Sequence, residues 1–338
     1  MRYWLGVLGL VLGGLIHGCA QAQPAPASAA GGQNVATGIE RWLMRLNEAS
    51  RNRAYQGTFV VTAGADMSSS RIWHVDDGQQ QMEQVESLTG TPRTTFRRND
   101  EVVTFLPDSH TVVHETREAL GLFPNLLTRA DASVTRFYRL RMVGQDRVAG
   151  LQADMAQLLP IDTLRYGYQI WTEQKTGLMI KLQTLDVHDN VLEQAAFSSL
   201  QLGAPVSMAK LAAMMDNTQG YQVIHPTLVK TTAELEGWLL GATVPGFAPV
   251  QCYKRHDGGA TADKAPLQCV YSDGLASVSL FVEPFDPLRH AHMLEHGQMS
   301  LGATSLRVRR LGPWWLTAVG EVPPQTLLAF VQALERKP

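Results

Sequence analysis

The sequence predicts an α+β protein, mainly antiparallel β, divided into a large N-terminal domain and a smaller C-terminal one. Three observations predict it. An amphipathic helical stretch leads into about a dozen short alternating strands joined by turn residues. Near Gly203–Tyr221 the strand pattern gives way to a Met- and Ala-rich segment. Beyond that point lies a second, shorter set of strands closed by one helix.

The elements follow in chain order. Met1–Ala22 has an early arginine, an apolar run over Tyr3–Ile16 and a small-x-small Ala20-Gln21-Ala22 site, the pattern of a cleaved export signal. The apolar run falls short of the ~20 residues that cross a bilayer as a helix. Ile16-His17-Gly18-Cys19 offers the alternative of a lipidated Cys19. Residues 23–33 are rich in Pro, Ala, Gly and Ser and read as a flexible leader. From Val35 to Arg53, Ile39, Trp42, Leu43, Leu46 and Ala49 recur at helical spacing, the mark of a helix laid against a sheet.

Strands are expected from Tyr55 to Gln201, separated by turn signals such as Asp77-Gly78, Gly90-Thr91-Pro92, Asn99-Asp100 and Lys175-Thr176-Gly177, with one helical excursion at Ala119–Leu127. Serial antiparallel strands of this kind curl into an open barrel. Period-two alternation places Tyr55, Phe59 and Val61 on one face of the first strand. It also groups Tyr166, Tyr168 and Ile170 on a later strand, and Leu178, Ile180 and Leu182 on the next. Such a lining either holds acyl chains or is packed by the N-terminal helix. The large domain thus spans 34–203, a linker 204–221 and the small α+β domain 222–338. In the latter, strands flank the loop His256–Pro266, and Pro323-Pro324 starts the final helix.

Of three cysteines, Cys252 and Cys269 lie beyond the export signal. Centring a hairpin on the His256–Pro266 loop sets them opposite each other, within disulfide reach. Two buried free thiols are the alternative. Acidic and basic residues nearly balance, 31 to 29, with no dense Lys/Arg block, so nucleic acid is not an expected partner. No Gly-x-Ser-x-Gly elbow, Walker loop or dinucleotide-binding glycine pattern occurs in context, and neither mature cysteine belongs to a CxxC pair. No catalytic residue and no cofactor is expected. His290, His292 and His296 form the one tight histidine cluster, but without a partner carboxylate pattern they read as surface histidines rather than metal ligands.

Several stretches, in order and spacing, resemble the RseB/MucB family. They are Tyr55-Gln56-Gly57-Thr58-Phe59-Val60, His74-Val75-Asp76-Asp77-Gly78, the run to Pro92-Arg93, Arg147-Val148-Ala149-Gly150, Arg165-Tyr166-Gly167-Tyr168 with Trp171, Pro245-Gly246-Phe247, and Val319 to Pro324. The resemblance implies a large domain similar to the lipoprotein carriers LolA and LolB, a half-open β-barrel with helices in its hollow. It also implies a non-enzymatic periplasmic regulator that binds the periplasmic region of a membrane anti-sigma factor, RseA or MucA. That binding shields the factor from site-1 proteolysis until lipopolysaccharide or another acyl lipid relieves it, so restraining an envelope-stress sigma factor. A homodimer is compatible with the resemblance. A lipid or lipoprotein carrier is the alternative function. Arg97, Arg98, Arg136, Arg139 and Arg141, near strand ends, are the candidate group for lipid phosphates, because guanidinium groups chelate phosphate well; a solvated face is the other reading. His74, beside Asp76-Asp77-Gly78, is expected to stabilise that turn.

Overall fold

The computed structural model describes residues 30–116, 134–241, 244–256, 265–290 and 297–337, with side chains of the first helix from Gly38 onward. The export signal, Cys19, most of the leader, the Ala119–Leu127 helix and His292 and His296 lie outside the described residues. Among those described, no helix is long and apolar enough to cross a membrane.

Helix α1 (Ala30–Arg51) starts within the stretch expected to be a flexible leader. Its Ile39, Leu43 and Leu46, one or two turns apart, are buried almost completely. The meander follows as β1 (Tyr55–Ala63), β2 (Asp66–Asp76), β3 (Gln81–Ser87), β4 (Thr94–Arg98), β5 (Glu101–Leu106) and β6 (Thr111–Thr116). After the short α2 (Val134–Phe137) come β7 (Tyr138–Val148), β8 (Leu151–Pro160), β9 (Gly167–Glu173), β10 (Met179–Leu185) and β11 (Val191–Leu202). Pairing of β1 with β11 joins the two runs into one open sheet with β7 at one edge. The sheet curls round α1, and the shared core holds Tyr55, Phe59, Ile72, Tyr138, Leu158, Tyr168, Ile170 and Ile180 against the helix. This is the half-open barrel that the resemblance implied.

The expected linker is no linker. Ser207 caps α3 (Met208–Asp216) by accepting from the Lys210 amide at 3.2 Å, and Leu211 and Met215 pack on Met82, Phe96, Phe105 and Val112. Register places this cluster on the sheet face opposite α1, since Met82 neighbours Val75 on β2 whereas Glu83 neighbours His74. Next, β12 (Gln222–Ile224) pairs parallel to β6 and becomes the other edge of a twelve-stranded sheet. The chain therefore leaves the large domain through His225 and Pro226 alone, for β13 (Thr227–Thr231) already belongs to the second sheet.

The small domain continues with β14 (Trp238–Leu240), β15 (Ala248–His256), β16 (Leu267–Ser272), β17 (Ser277–Pro284), α4 (Pro287–His290), β18 (Gln298–Leu301), β19 (Thr304–Leu311) and β20 (Trp314–Gly320). It closes with α5 (Pro324–Ala333) and β21 (Leu334–Arg336). Its seven-stranded sheet runs β13-β15-β16-β17-β20-β19-β18, and β14 pairs with β21. Leu327, Phe330 and Val331 of α5 cover Val278, Leu280, Leu316 and Ala318. Cys252 stands directly opposite Cys269 in the β15–β16 register, and the two form a disulfide, as the hairpin geometry suggested. His290 corrects its reading as a surface histidine. It is 5% exposed, stacks on Trp315 at 4.6 Å and accepts the Asp286 amide at Nδ1.

Candidate functional site

The residues read as either an acyl-chain lining or a surface packed by the N-terminal helix are mostly packed by that helix. Tyr55, Phe59, Tyr168, Ile170 and Ile180 are all buried beneath α1, and Val61 packs at the margin of the same cluster. Tyr166 departs from the group. Its hydroxyl bonds Ser305 of the small domain, and burial raises its pKa.

The five arginines are not one site. Arg97 and Arg98, as successive strand residues, project to opposite faces of β4, and seven strands of the sheet separate them from Arg139 and Arg141 on β7. Arg97 is 3% exposed and donates through Nε to the Asn99 carbonyl at 2.7 Å. It lines a polar pocket of about 480 Å³ with Arg51, Asp76 and Asp100. Arg98 is held by Glu101 at 2.8 Å and Asp216 at 3.4 Å. Arg136 lies over Phe137, Arg139 donates to the Thr135 carbonyl, and Arg141 binds Gln157.

Of the signature residues, Gly78 has φ +86° and donates to Asp76 at 2.7 Å, so the turn is held without His74. His74 is instead a core residue, 4% exposed, stacked on Tyr55 at 4.9 Å, with Nε2 3.2 Å from the Arg51 carbonyl at the end of α1. Arg93 closes the β3–β4 turn by accepting the Ser87 amide on its carbonyl, next to exposed Pro92. Gly167 opens β9, where a Cβ would sit 3.5 Å from the Leu158 carbonyl. Trp171 donates from Nε1 to Asp146 at 2.9 Å, with the Lys181 ammonium 4.2 Å from its ring.

Among the described residues, Arg165 marks a place where charge is fully buried between the domains. It belongs to the 161–166 loop between β8 and β9, which the small domain grips from three sides. From the Ser272–Ala276 turn, Asp273 takes Arg165 Nε at 2.6 Å, and both side chains are 0% exposed. From the Val244–Phe247 turn, the Pro245 carbonyl accepts Arg165 Nη2. At the start of α5, Thr326 and Gln325 donate to the Leu164 and Thr163 carbonyls at 2.8 and 2.7 Å. Asp162 of the same loop takes Arg165 Nη1.

The guanidinium plane is covered by Phe137 at 4.1 Å on one domain and by Phe247 at 5.2 Å on the other. The buried carboxylate is equally well met. Asp273 Oδ1 accepts the Leu275 and Ala276 amides at 3.0 and 2.8 Å, while Oδ2 also accepts the Tyr138 hydroxyl at 3.3 Å. Burial above all, with the Tyr168 and Asp273 oxygens nearby, pushes the Tyr138 pKa far up, so the phenol stays a donor. Gly246 is required here. Its φ is +89°, and a Cβ would run into Arg165 and Phe137. Around this centre, Arg255 pairs with Glu115 at 3.1 Å and Gly302 packs on Ala63. Sequence reasoning singled out Arg165 and Pro245-Gly246-Phe247 separately but missed that they meet, and it missed Asp273 altogether. The signal available was a lone Asp before Gly274 in a turn, which is common.

The arrangement is a buried, hydrogen-bonded contact between the two domains, with an ion pair rather than a nucleophile–base pair at its centre. Comparisons with known proteins point the same way. The MucB/RseB N-terminal domain family matches residues 38–215, and the MucB/RseB C-terminal domain family matches residues 232–335. The sigma factor AlgU regulatory protein MucB of Pseudomonas aeruginosa is 32% identical over 292 residues, covering 83% of this chain and 86% of that protein. The sigma-E factor regulatory protein RseB of Escherichia coli K12 is 25% identical, covering 94% and 93%. Among solved structures, MucB in complex with MucA(peri) is similar at 27% identity and TM-score 0.65, covering 88% of this chain and 98% of that one. The Pseudomonas aeruginosa MucA/MucB complex gives a TM-score of 0.67 over 89% and 99%. Both domains match in order and over nearly the whole described fold, and the protein is a member of the MucB/RseB family.

Proposed function

We propose that this chain is a periplasmic regulator that binds the periplasmic region of a MucA- or RseA-type anti-sigma factor and shields it from site-1 proteolysis, so restraining an envelope-stress sigma factor. The observation that carries the reading is the two-domain match over most of the chain: relatives covered over most of their own length are sigma factor regulatory proteins, and MucB is solved in complex with MucA(peri). In this reading Met1–Ala22 directs export, and the chain acts by binding rather than by catalysis.

Lipid relief takes a specific form here. Because Ile39, Leu43 and Leu46 already occupy the hollow, an acyl chain entering it has to displace α1. A lipid releases the partner only to the extent that it favours the partner-free arrangement. The same packing weighs against the carrier alternative, which needs a vacant hollow. Cleavage of the anti-sigma periplasmic segment by its site-1 protease tests the proposal. Added protein slows cleavage and lipopolysaccharide restores it; equal cleavage with and without the protein sinks the reading.

A further inference from the structure

Burying Arg165 against Asp273 is an expensive way to hold two domains together. Desolvating both charges offsets much of their attraction, and well-packed apolar residues of similar volume hold a permanent interface as well or better. Charge gives something apolar packing does not, which is reversibility. When the faces part, a guanidinium and a carboxylate regain water, whereas parted apolar faces are left exposed. Much of the seam around the pair is polar as well: the Pro245, Leu164 and Thr163 carbonyls are met by side-chain donors. Phe137 and Phe247, one from each domain, lie against the guanidinium, and beside them Leu164 packs on the small domain's core and Leu275 on the large domain's. The covalent link between the two sheets is also minimal, two residues between Ile224 and Thr227. Parted domains therefore stay tethered at one corner.

We infer that this seam is a reversible joint, and that Arg165 and Asp273 are positioning residues that hold the two domains in the partner-binding arrangement without touching the partner. The affinity half of this inference rests on the proposed anti-sigma binding; the joint itself does not. Partner binding to the latched form and closure of the seam are then one coupled equilibrium, so weakening either weakens the other.

The test uses the full chain, small-angle X-ray scattering for domain separation, and calorimetric titration with the periplasmic segment of a MucA-type anti-sigma factor. Arg165→Gln and Asp273→Asn each leave one group without its partner, and each is expected to expand the scattering envelope and weaken the partner by roughly tenfold or more. The unfolding midpoints of the separate domains stay where they are. Gly246→Ala asks the same question with the charges intact, since its methyl wedges the seam, and it serves if either single variant fails to fold. Unchanged scattering in both single variants and in Gly246→Ala overturns the joint. Expanded scattering with unchanged affinity overturns the positioning role. Absence of binding by the unsubstituted chain overturns the proposed function, while the scattering arm still decides the joint.

Discussion

Two interiors of this molecule are built from opposite materials. In the hollow of the large domain, Ile39, Leu43 and Leu46 of α1 share one apolar core with Tyr55, Phe59, Tyr168 and Ile170. At the seam between the domains the central contact is an ion pair with 0% exposure on both sides, ringed by hydrogen bonds to backbone carbonyls. Apolar burial holds what has to stay together, because separation exposes surface that water does not welcome. Matched charges hold what has to come apart. Folding of the large domain and pairing of the two domains are thus separable properties.

The largest expected effects set the two regions against each other. Arg165→Gln removes one partner of a buried pair and is expected to cost about 3–5 kcal/mol, seen as opening of the seam by small-angle scattering with each domain still folded. Leu43→Ala, at a position 1% exposed in the hollow, is expected to cost about 2–5 kcal/mol, seen as a lower denaturant midpoint of the large domain without domain separation. A variant that mixes the two signatures breaks the comparison. Replacing Cys252 and Cys269 by serine opens a link of sequence separation 17 and is expected to destabilise the small domain by about 3 kcal/mol in thermal unfolding, leaving the seam geometry alone. Tyr138→Phe removes one donor to Asp273 and is expected to weaken seam closure by about 1 kcal/mol.

The smallest effect is a pH dependence at the tether. His114 on β6 lies 4.7 Å from the ring of His225, with Glu101, Asp216 and Arg98 nearby. Burial first, then His225, lowers its pKa below the ordinary value of 6.5. The unfolded chain therefore takes up the proton first as pH falls, and stability is lost from pH 6.5 down towards the folded pKa and is constant above it. His114→Asn flattens that slope in denaturant titrations between neutral and mildly acidic pH; an unchanged slope assigns it elsewhere.

Much of the fold was legible because its signals are local. Tyr55–Ala63 alternates, Asp77-Gly78 and Lys175-Thr176-Gly177 turn, and Ile39, Leu43 and Leu46 recur at helical spacing. The disulfide was legible because one loop fixes the register of one hairpin. The supposed linker was misread although Ser207, Leu211 and Met215 carry a cap and a helical stripe; what outweighed them was the break in the strand pattern, with turn residues on both sides, Gly203 and Pro205 before and Asn217 and Gly220 after. Pairing of β12 with β6 joins residues 111–113 to 222–224, and no local pattern announces it. The seam was hidden for the same reason. Arg165 and Asp273 are 108 residues apart, and each looks ordinary among its neighbours. That the five arginines do not gather in one place was hidden too, because position near a strand end says nothing of which strands are neighbours: Arg97 and Arg98 face opposite ways on β4, and seven strands separate them from Arg139 and Arg141.

The most direct test of the account is calorimetric titration of the full chain with the periplasmic segment of a MucA-type anti-sigma factor. The account predicts saturable binding at micromolar concentration or tighter, weakened in Arg165→Gln. No binding by the unsubstituted, folded chain at those concentrations would contradict it.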